Sequence, residues 1–253
     1  MAAAHATGAV MRQNLREPKK INAVSSHDIK LALDVQCQRL IDRRLHAKFP
    51  EIALLGEEGT ARDQESELRW VVDPIDGTVN YTYGIPHACV SIALQERNAE
   101  DADYEDGYRT MVGVVYDPFC DELWTAIRGG PARLNGKVIH ASRRRRLADS
   151  IVSIGFAKNR ASLEGALPYF VWLARRVRKI RMMGSAALGL TYVATGRFDA
   201  YIERGINLWD IAAGGLIIEC AGGEFWHEFL SGQHKFRMVA SNGAIRPRLP
   251  RPK

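Results

Sequence analysis

The sequence offers little sulfur chemistry. Its 253 residues include four cysteines, Cys37, Cys89, Cys120 and Cys220, scattered with no Cys-x-x-Cys pair. That spacing excludes a zinc knuckle and a disulfide framework, and it points to reduced thiols in a cytoplasmic protein. Apolar runs stay well short of the roughly 20 residues that a membrane span needs. The N-terminus lacks a basic segment leading into an apolar one, so no secretory signal is expected. Internal repeats and low-complexity segments are also missing. What is present is ordinary globular composition, 46% hydrophobic and 25% charged, in a chain long enough for one large domain or two coupled lobes.

Acidic charge is the scarcer sign. A net charge of +6 and a pI near 9.2 favour anionic substrates or nucleic acid without choosing between them. Part of the excess lies in the run Arg143–Arg146 and in the tail residues Arg246, Arg248, Arg251 and Lys253. No aromatic residue interleaves with Arg143–Arg146, as a single-strand binding platform would want. A solvated loop and a frayed end account for both.

The chain is organised around residues 69–81, Arg-Trp-Val-Val-Asp-Pro-Ile-Asp-Gly-Thr-Val-Asn-Tyr. Trp70, Val71 and Val72 form a short β-prone run. Pro74 removes a donor and restrains Asp73, so a strand is expected to end there. Asp73 and Asp76 then share a short loop, close enough to share a cation, and Gly77-Thr78 offers a helix start with exposed N–H groups. An Asp-rich turn capping a helix is the plainer reading. Two Asp three apart, straddling Pro after a buried strand, favour a metal and phosphate site.

Around this stretch, residues 2–16 suit an amphipathic helix. Ser25–Asp28 offers N-cap chemistry for a long helix from Ile29 to Phe49. Residues 52–55 read as a strand delivering Glu57-Glu58. Strands are expected at 88–94, 111–116 and 121–126, with a polar surface loop at about 98–107 and an Asn135-Gly136 hairpin. A boundary near 142–149 divides a first unit, 1–142, with helices and an antiparallel sheet, from a second, 143–253, in which strand and helix alternate. The second unit carries strands at 151–156, 179–183 and 198–203, and helices at 163–177, 188–195 and 211–220. Asp210, before the last helix, serves as an N-cap or as a fourth ligand.

These residues resemble the inositol monophosphatase family, within the magnesium-dependent, lithium-sensitive sugar phosphatases. Trp70–Tyr81 is similar to one family signature and Trp209–Gly223 to a second. Gly56-Glu57-Glu58, Gly184-Ser185-Ala186-Ala187 and Tyr192–Gly196 fit in order, so the likeness runs from about residue 4 to about 245. The resemblance implies an α/β (α+β) fold, a layered αβαβα sandwich, usually dimeric. It also implies that Glu57, Asp73, the Ile75 carbonyl, Asp76 and Asp210 hold two to three Mg²⁺ ions, with Li⁺ inhibitory. Gly77 and Thr78 would face the phosphate. Glu57 and Thr78, with Asp34 behind Thr78, would help a water lose its proton. Gly184, Ser185, Ala186 and Glu203 would contact the alcohol, with Asp76 and Asp210 also on the substrate side.

Hard oxygen ligands suit Mg²⁺, and clustered cations suit hydrolysis of a phosphate monoester. None of the seven histidines falls inside either signature, which argues against a phosphohistidine route. One departure stands out: Leu31 replaces a usual Thr before the long helix. The implied activity is a phosphomonoesterase, with inositol monophosphate as the best substrate. Histidinol phosphate, fructose 1,6-bisphosphate, a 3′-phosphoadenosine nucleotide and NADP remain open. A regulatory factor associated with RNA or RNA polymerase is the reading from another class, supported locally only by Arg143–Arg146 and the pI.

Overall fold

Two consecutive valines show how the layers arise. Val71 and Val72 are both buried, yet they enter different hydrophobic cores because successive strand residues face opposite sides of a sheet. The computed structural model describes residues 1–24, 29–61, 66–156, 160–230 and 234–250. The first half comprises α1 (Ala2–Asn14), β1 (Ile21–Val24), β2 (Ile29–Leu31), α2 (Ala32–His46), β3 (Ala53–Gly56), β4 (Gly59–Ala61), β5 (Leu68–Asp76) and α3 (Thr78–Thr82). It continues with β6 (Cys89–Arg97), β7 (Tyr108–Asp117), β8 (Glu122–Ile127), β9 (Arg133–Leu134) and β10 (Lys137–Val138). Then follow β11 (Ile151–Phe156), α4 (Arg160–Ala174), β12 (Lys179–Arg181), α5 (Ala186–Ala194), β13 (Ala200–Asn207), α6 (Leu208–Cys220), β14 (Glu224–Phe229) and β15 (Lys235–Ser241).

The larger sheet has the order β10-β9-β8-β7-β6-β5-β3-β4 and is antiparallel except where β3 runs parallel to β5. The smaller sheet has the order β12-β11-β13-β15-β14, parallel across β12, β11 and β13 and antiparallel beyond. Leu54, Val72, Val90, Ile92 and Val114 pack one face of the larger sheet against Met11 of α1 and Cys37 and Ile41 of α2. Leu55, Val71, Ala93 and Val115 point the other way, onto Leu188 and Leu190 of α5 and Ile211 and Leu216 of α6. The same core takes Tyr201, Ile206, Phe236 and Met238 from the smaller sheet. The far face of that sheet, Val152, Ile154, Ile202 and Val239, covers Leu173 of α4. The layers are therefore α, β, α, β, α, as the resemblance implies. Among the described residues no helix is long and apolar enough to cross a membrane.

Several elements differ from the sequence reading. The long helix starts at Ala32 rather than Ile29, because residues 29–31 pair with β1 as a strand. Leu31 is buried, and its N–H goes to the Asp34 carboxylate at 2.9 Å, which starts the helix one residue later. The Ser25–Asp28 capping expectation lies outside the described residues, as do Arg251 and Lys253. Strand β5 does not stop at Asp73. It runs to Asp76 with a register shift between the two aspartates, where a bulge accommodates Pro74. The last long helix begins at Leu208, so Asn207 is the N-cap and Asp210 sits in the first turn. Strands β14 and β15 went unforeseen. Their inward positions include His227, stacked on Tyr104 at 4.7 Å, which hides the apolar alternation. The acidic loop of about 98–107 joins β6 to β7, and its Asp103 and Asp106 pair with Arg128 and Arg69.

Helix α6 lies so close to β7 that Gly113 has no room for a side chain. A Cβ there would sit 2.6 Å from the Ala213 carbonyl oxygen. Gly113→Ala is expected to cost about 1–3 kcal/mol through overpacking, read as a lower urea midpoint at unchanged slope.

Candidate active site

The site forms where β5 ends beside the start of α6. Asp73, Asp76 and Asp210 each bring a carboxylate oxygen to within 4.8 Å of the others. Asp73 and Asp76 are 2% and 6% exposed. Asp73 Oδ1 accepts the Ile75 N–H at 2.9 Å, so the bulge is an Asx-type turn that holds the carboxylate inward. Asp210 Oδ2 accepts the Asn207 N–H at 2.9 Å in a capping box, so one side chain both starts α6 and faces the cluster. Glu57 follows β3, whose parallel pairing with β5 brings it beside Asp73, and its N–H reaches the Val72 carbonyl at 3.2 Å.

Asp76 has a second attachment. Its carboxylate accepts the Ser185 hydroxyl at 2.5 Å and the N–H groups of Ala186 and Ala187 at 3.1 and 2.7 Å. It thereby caps the N-terminus of α5, where orphan N–H groups favour negative charge. The thiol of Cys89, which faces Asp76 across the β5–β6 ladder, lies 3.6 Å from the same oxygen.

Electrostatics explain what this cluster needs. Burial, then the charges of Glu57, Asp76 and Asp210, pushes the Asp73 carboxyl well above the usual range. Burial and the neighbouring Asp76 raise Asp210 to about 8. Burial also raises Asp76, against the hydrogen bonds from Ser185, Ala186 and Ala187 that favour its charge. Asp73 and Asp210 lie within hydrogen-bonding reach of each other, so without a cation the pair retains a proton. A buried, all-oxygen and negatively charged donor set fits a hard divalent cation such as Mg²⁺.

Gly77 has φ +94°, and a Cβ there would meet the His87 carbonyl oxygen at 2.9 Å and Ser185 Cβ at 3.2 Å. Only glycine lets the chain turn tightly into α3. The Thr78 hydroxyl donates to the Ile75 carbonyl oxygen at 2.8 Å, and Asp34 Oδ2 accepts Leu31 N–H under the first turn of α2. A cavity of about 410 Å³ opens beside Asp76 and Asp210 and is lined by Gly184, Ser185, Ala186, Tyr201 and Glu203. Burial raises Glu203 to about 7, although the Tyr201 hydroxyl donates to its carboxylate.

The structure therefore brings Asp73, Asp76 and Asp210 together and places Gly184, Ser185, Ala186 and Glu203 around one cavity with two of them. Glu57 lines a second hollow, of about 820 Å³, together with Trp209 and Asn207. Sequence reasoning missed Asn80, whose side-chain amide donates to the carbonyls of His87 and Met183 at 3.0 and 2.8 Å. It ties α3 to the 183–185 turn, and its place two residues after Thr78 in the signature was the available signal. Cys89 and Asn207 were missed as well; neither carries a local pattern.

A buried acidic cluster where a strand bulge meets the starts of two helices, inside a five-layer αβαβα stack, fits a metal-dependent phosphatase architecture. The family model of the inositol monophosphatase family matches residues 1–247, and the chain belongs to that family. Among curated relatives, an inositol-1-monophosphatase of Rhizobium meliloti is 42% identical, covering 75% of this chain and 68% of its own. A Nus factor SuhB of Xylella fastidiosa is 38% identical, covering 87% and 78%. Among solved structures, the extragenic suppressor protein suhB of Bartonella henselae superposes with a TM-score of 0.87 at 32% identity, covering 98% of this chain and 94% of that one. An IMPase/NADP phosphatase complexed with Mg²⁺ and phosphate gives 0.77 at 26% identity, covering 96% and 88%.

Proposed function

We propose that the protein is a Mg²⁺-dependent phosphomonoesterase that hydrolyses a small phosphorylated alcohol, with inositol monophosphate the best candidate. The observation that carries this reading is the meeting of Asp73, Asp76 and Asp210, two of which, Asp76 and Asp210, line the adjoining cavity. Bound there, Mg²⁺ would neutralise phosphate charge and acidify a water at neutral pH. Glu57, Asp73, Asp76, Asp210 and the Ile75 carbonyl would hold it. The Ile75 oxygen accepts Thr78 and keeps a second lone pair for a cation.

The remaining work falls to this chain's own groups. The tight turn at Gly77 brings the N–H groups of Gly77 and Thr78 toward the phosphate without a side chain in the way. Glu57 and Thr78 would help an attacking water lose its proton. Glu203, in its ionised form, accepts hydroxyls of the alcohol, and the Tyr201 hydroxyl orients its carboxylate. Ser185 and Ala186 form the wall of the alcohol cavity while their hydrogen bonds fix Asp76. Two to three ions per site, inhibition by Li⁺, a homodimer and a cytoplasmic location complete the proposal on the strength of the family resemblance.

A phosphate-release panel tests it. The substrates are inositol monophosphate, histidinol phosphate, fructose 1,6-bisphosphate, a 3′-phosphoadenosine nucleotide and NADP, each with Mg²⁺ and with chelator. Release that depends on Mg²⁺ and is fastest with inositol monophosphate is expected. Undiminished release in chelator would remove the metal mechanism, and preference for another substrate would reassign the alcohol.

A further inference from the structure

Tyr201 and Glu203 leave the same face of β13, two residues apart, and both line the cavity beside Asp76 and Asp210. Their register partners on β11 are Ser153 and Gly155. A Cβ at Gly155 would lie 2.5 Å from Glu203 Cδ and would overlap the carboxylate. Gly155 has no positive φ, so space and not backbone conformation requires glycine there. The Glu203 carboxylate lies in the room that a side chain at 155 would take.

The donor to that carboxylate is seated in the same way. A Cβ at Gly189, in α5, would meet Tyr201 Cδ1 and Cε1 at 2.9 Å. The Tyr201 ring is therefore pressed onto the helix backbone and buried, and its hydroxyl donates to the Glu203 carboxylate. Strand β11 holds the pair at its acid, and α5 holds it at its ring. Directly after Glu203, pairing with β15 shifts register between Arg204 and Ile206, where Gly205 has φ +86°. This bulge ends the regular ladder where the carboxylate meets the cavity.

The fixed carboxylate is also uncompensated. Among the described residues the cavity lining includes three acids, Asp76, Glu203 and Asp210, and no lysine, arginine or histidine. Asp76 and Asp210 belong to the proposed cation site. Glu203 has, among the described residues, the Tyr201 hydroxyl as its one hydrogen-bond donor and no ion pair. Met183 and Ile206 add apolar wall. A hydroxyl of the substrate brings the donor that such a carboxylate lacks, at no cost in charge. A second phosphate or carboxylate brings a like charge with no cation to meet it, where burial weakens screening.

We propose that Gly155 and Gly189 are positioning residues that decide which alcohol the site accepts: they fix the Tyr201–Glu203 pair, and the fixed carboxylate, in a cavity whose described lining has no cation, turns away phosphate esters whose alcohol carries a second anionic group. The inference rests on the phosphatase reading and narrows it. A polyol bearing a single phosphate is the favoured class. Fructose 1,6-bisphosphate, the 3′-phosphoadenosine nucleotide and NADP each carry further phosphate and are disfavoured. Holding the carboxylate in advance also spares the cost of ordering a long side chain when the alcohol binds.

The test compares steady-state phosphate release by the full chain with Mg²⁺ from inositol monophosphate, an inositol bisphosphate and phenyl phosphate, whose leaving group has no further hydroxyl. The unmodified protein should prefer the monophosphate to the bisphosphate by about 100-fold in kcat/KM, and Glu203→Gln should narrow that preference about tenfold. Gly155→Ala should raise KM for inositol monophosphate about tenfold, with kcat held within about threefold and a far smaller shift in KM for phenyl phosphate. In a Glu203→Ala background, Gly155→Ala should change neither KM nor melting temperature further, because the atoms it strikes are gone. Gly189→Ala should also raise KM for the inositol ester and lose that effect in a Tyr201→Phe background. Glu203→Gln preserves the shape of its side chain and keeps the comparison decisive should Gly155→Ala fail to fold. Equal KM rises for the two monoesters, additive effects of Gly155→Ala and Glu203→Ala, or a bisphosphate turned over as well as the monophosphate would each overturn the inference and leave the phosphatase reading in place. No Mg²⁺-dependent release from any ester would remove that reading, and the inference with it.

Discussion

Asp210→Asn is expected to lower kcat/KM for a phosphate monoester by about 10³-fold or more, roughly 4 kcal/mol of barrier, without unfolding the protein. Asparagine keeps the shape and one oxygen to accept the Asn207 N–H, so α6 retains its cap. What it removes is a negative charge from a buried group of like charges. The metal-free protein should therefore hold or gain thermal stability, because burial and repulsion strain the native cluster. Stabilisation by added Mg²⁺ should largely vanish. Asp76→Asn makes a useful contrast. Its new NH2 would face the N–H of either Ala186 or Ala187, donor against donor, while its remaining oxygen accepts the other, so it should lose activity and also loosen α5. Calorimetric titration of Mg²⁺ and melting curves separate the two effects. Wild-type turnover, or an unchanged Mg²⁺ response, in Asp210→Asn would refute the ligand assignment.

The second large effect is a pH dependence that Mg²⁺ reverses. In the folded chain burial pushes Glu203 up to about 7 and Asp210 up to about 8, from ordinary values of 4.5 and 3.8. Asp73 and Asp76 shift in the same direction. A carboxyl raised by folding binds its proton more tightly in the native state than in the unfolded one. Its stabilising contribution is complete below the unfolded value and is lost as pH rises through the folded value. In chelator the melting temperature should therefore fall between about pH 4 and pH 8. Mg²⁺ binds the ionised cluster, so it should stabilise little at pH 5 and most at pH 8. Differential scanning fluorimetry at several pH values, with chelator and with Mg²⁺, measures this directly. A chelator curve that rises over that interval would show the carboxylates to be compensated by something other than a cation.

Much of the site could be read in advance because it is written locally. Asp73 to Thr78 occupies six consecutive positions, and a strand, a proline bulge and a positive-φ glycine must follow one another there. Asp210 could be read because a capping acid and a ligand demand the same residue at a helix start. Asn80 and Cys89 were harder. Each acts across the fold, on carbonyls or a carboxylate brought near by strand pairing, and neither has a periodic partner. Boundaries slipped where a tertiary demand outweighed a local preference. Leu31 is extended because its side chain fills a core, and β14 was hidden because a histidine occupies an inward position. The five-layer order came through the resemblance. Alternation alone could have shown that 71/72 and 54/55 face two cores, but not which helices fill them.

The order in which the chain is made gives the split of the ligands another meaning. Glu57, Asp73 and Asp76 leave the ribosome long before Asp210, and α6, which carries Asp210, fills the layer between the two sheets together with α5. A growing chain that ends before residue 208 carries its first three acids and α5 but neither the fourth acid of the proposed ligand set nor the other helix of the central layer. Completion of the acidic cluster and closure of the central core thus wait for the same helix, late in synthesis.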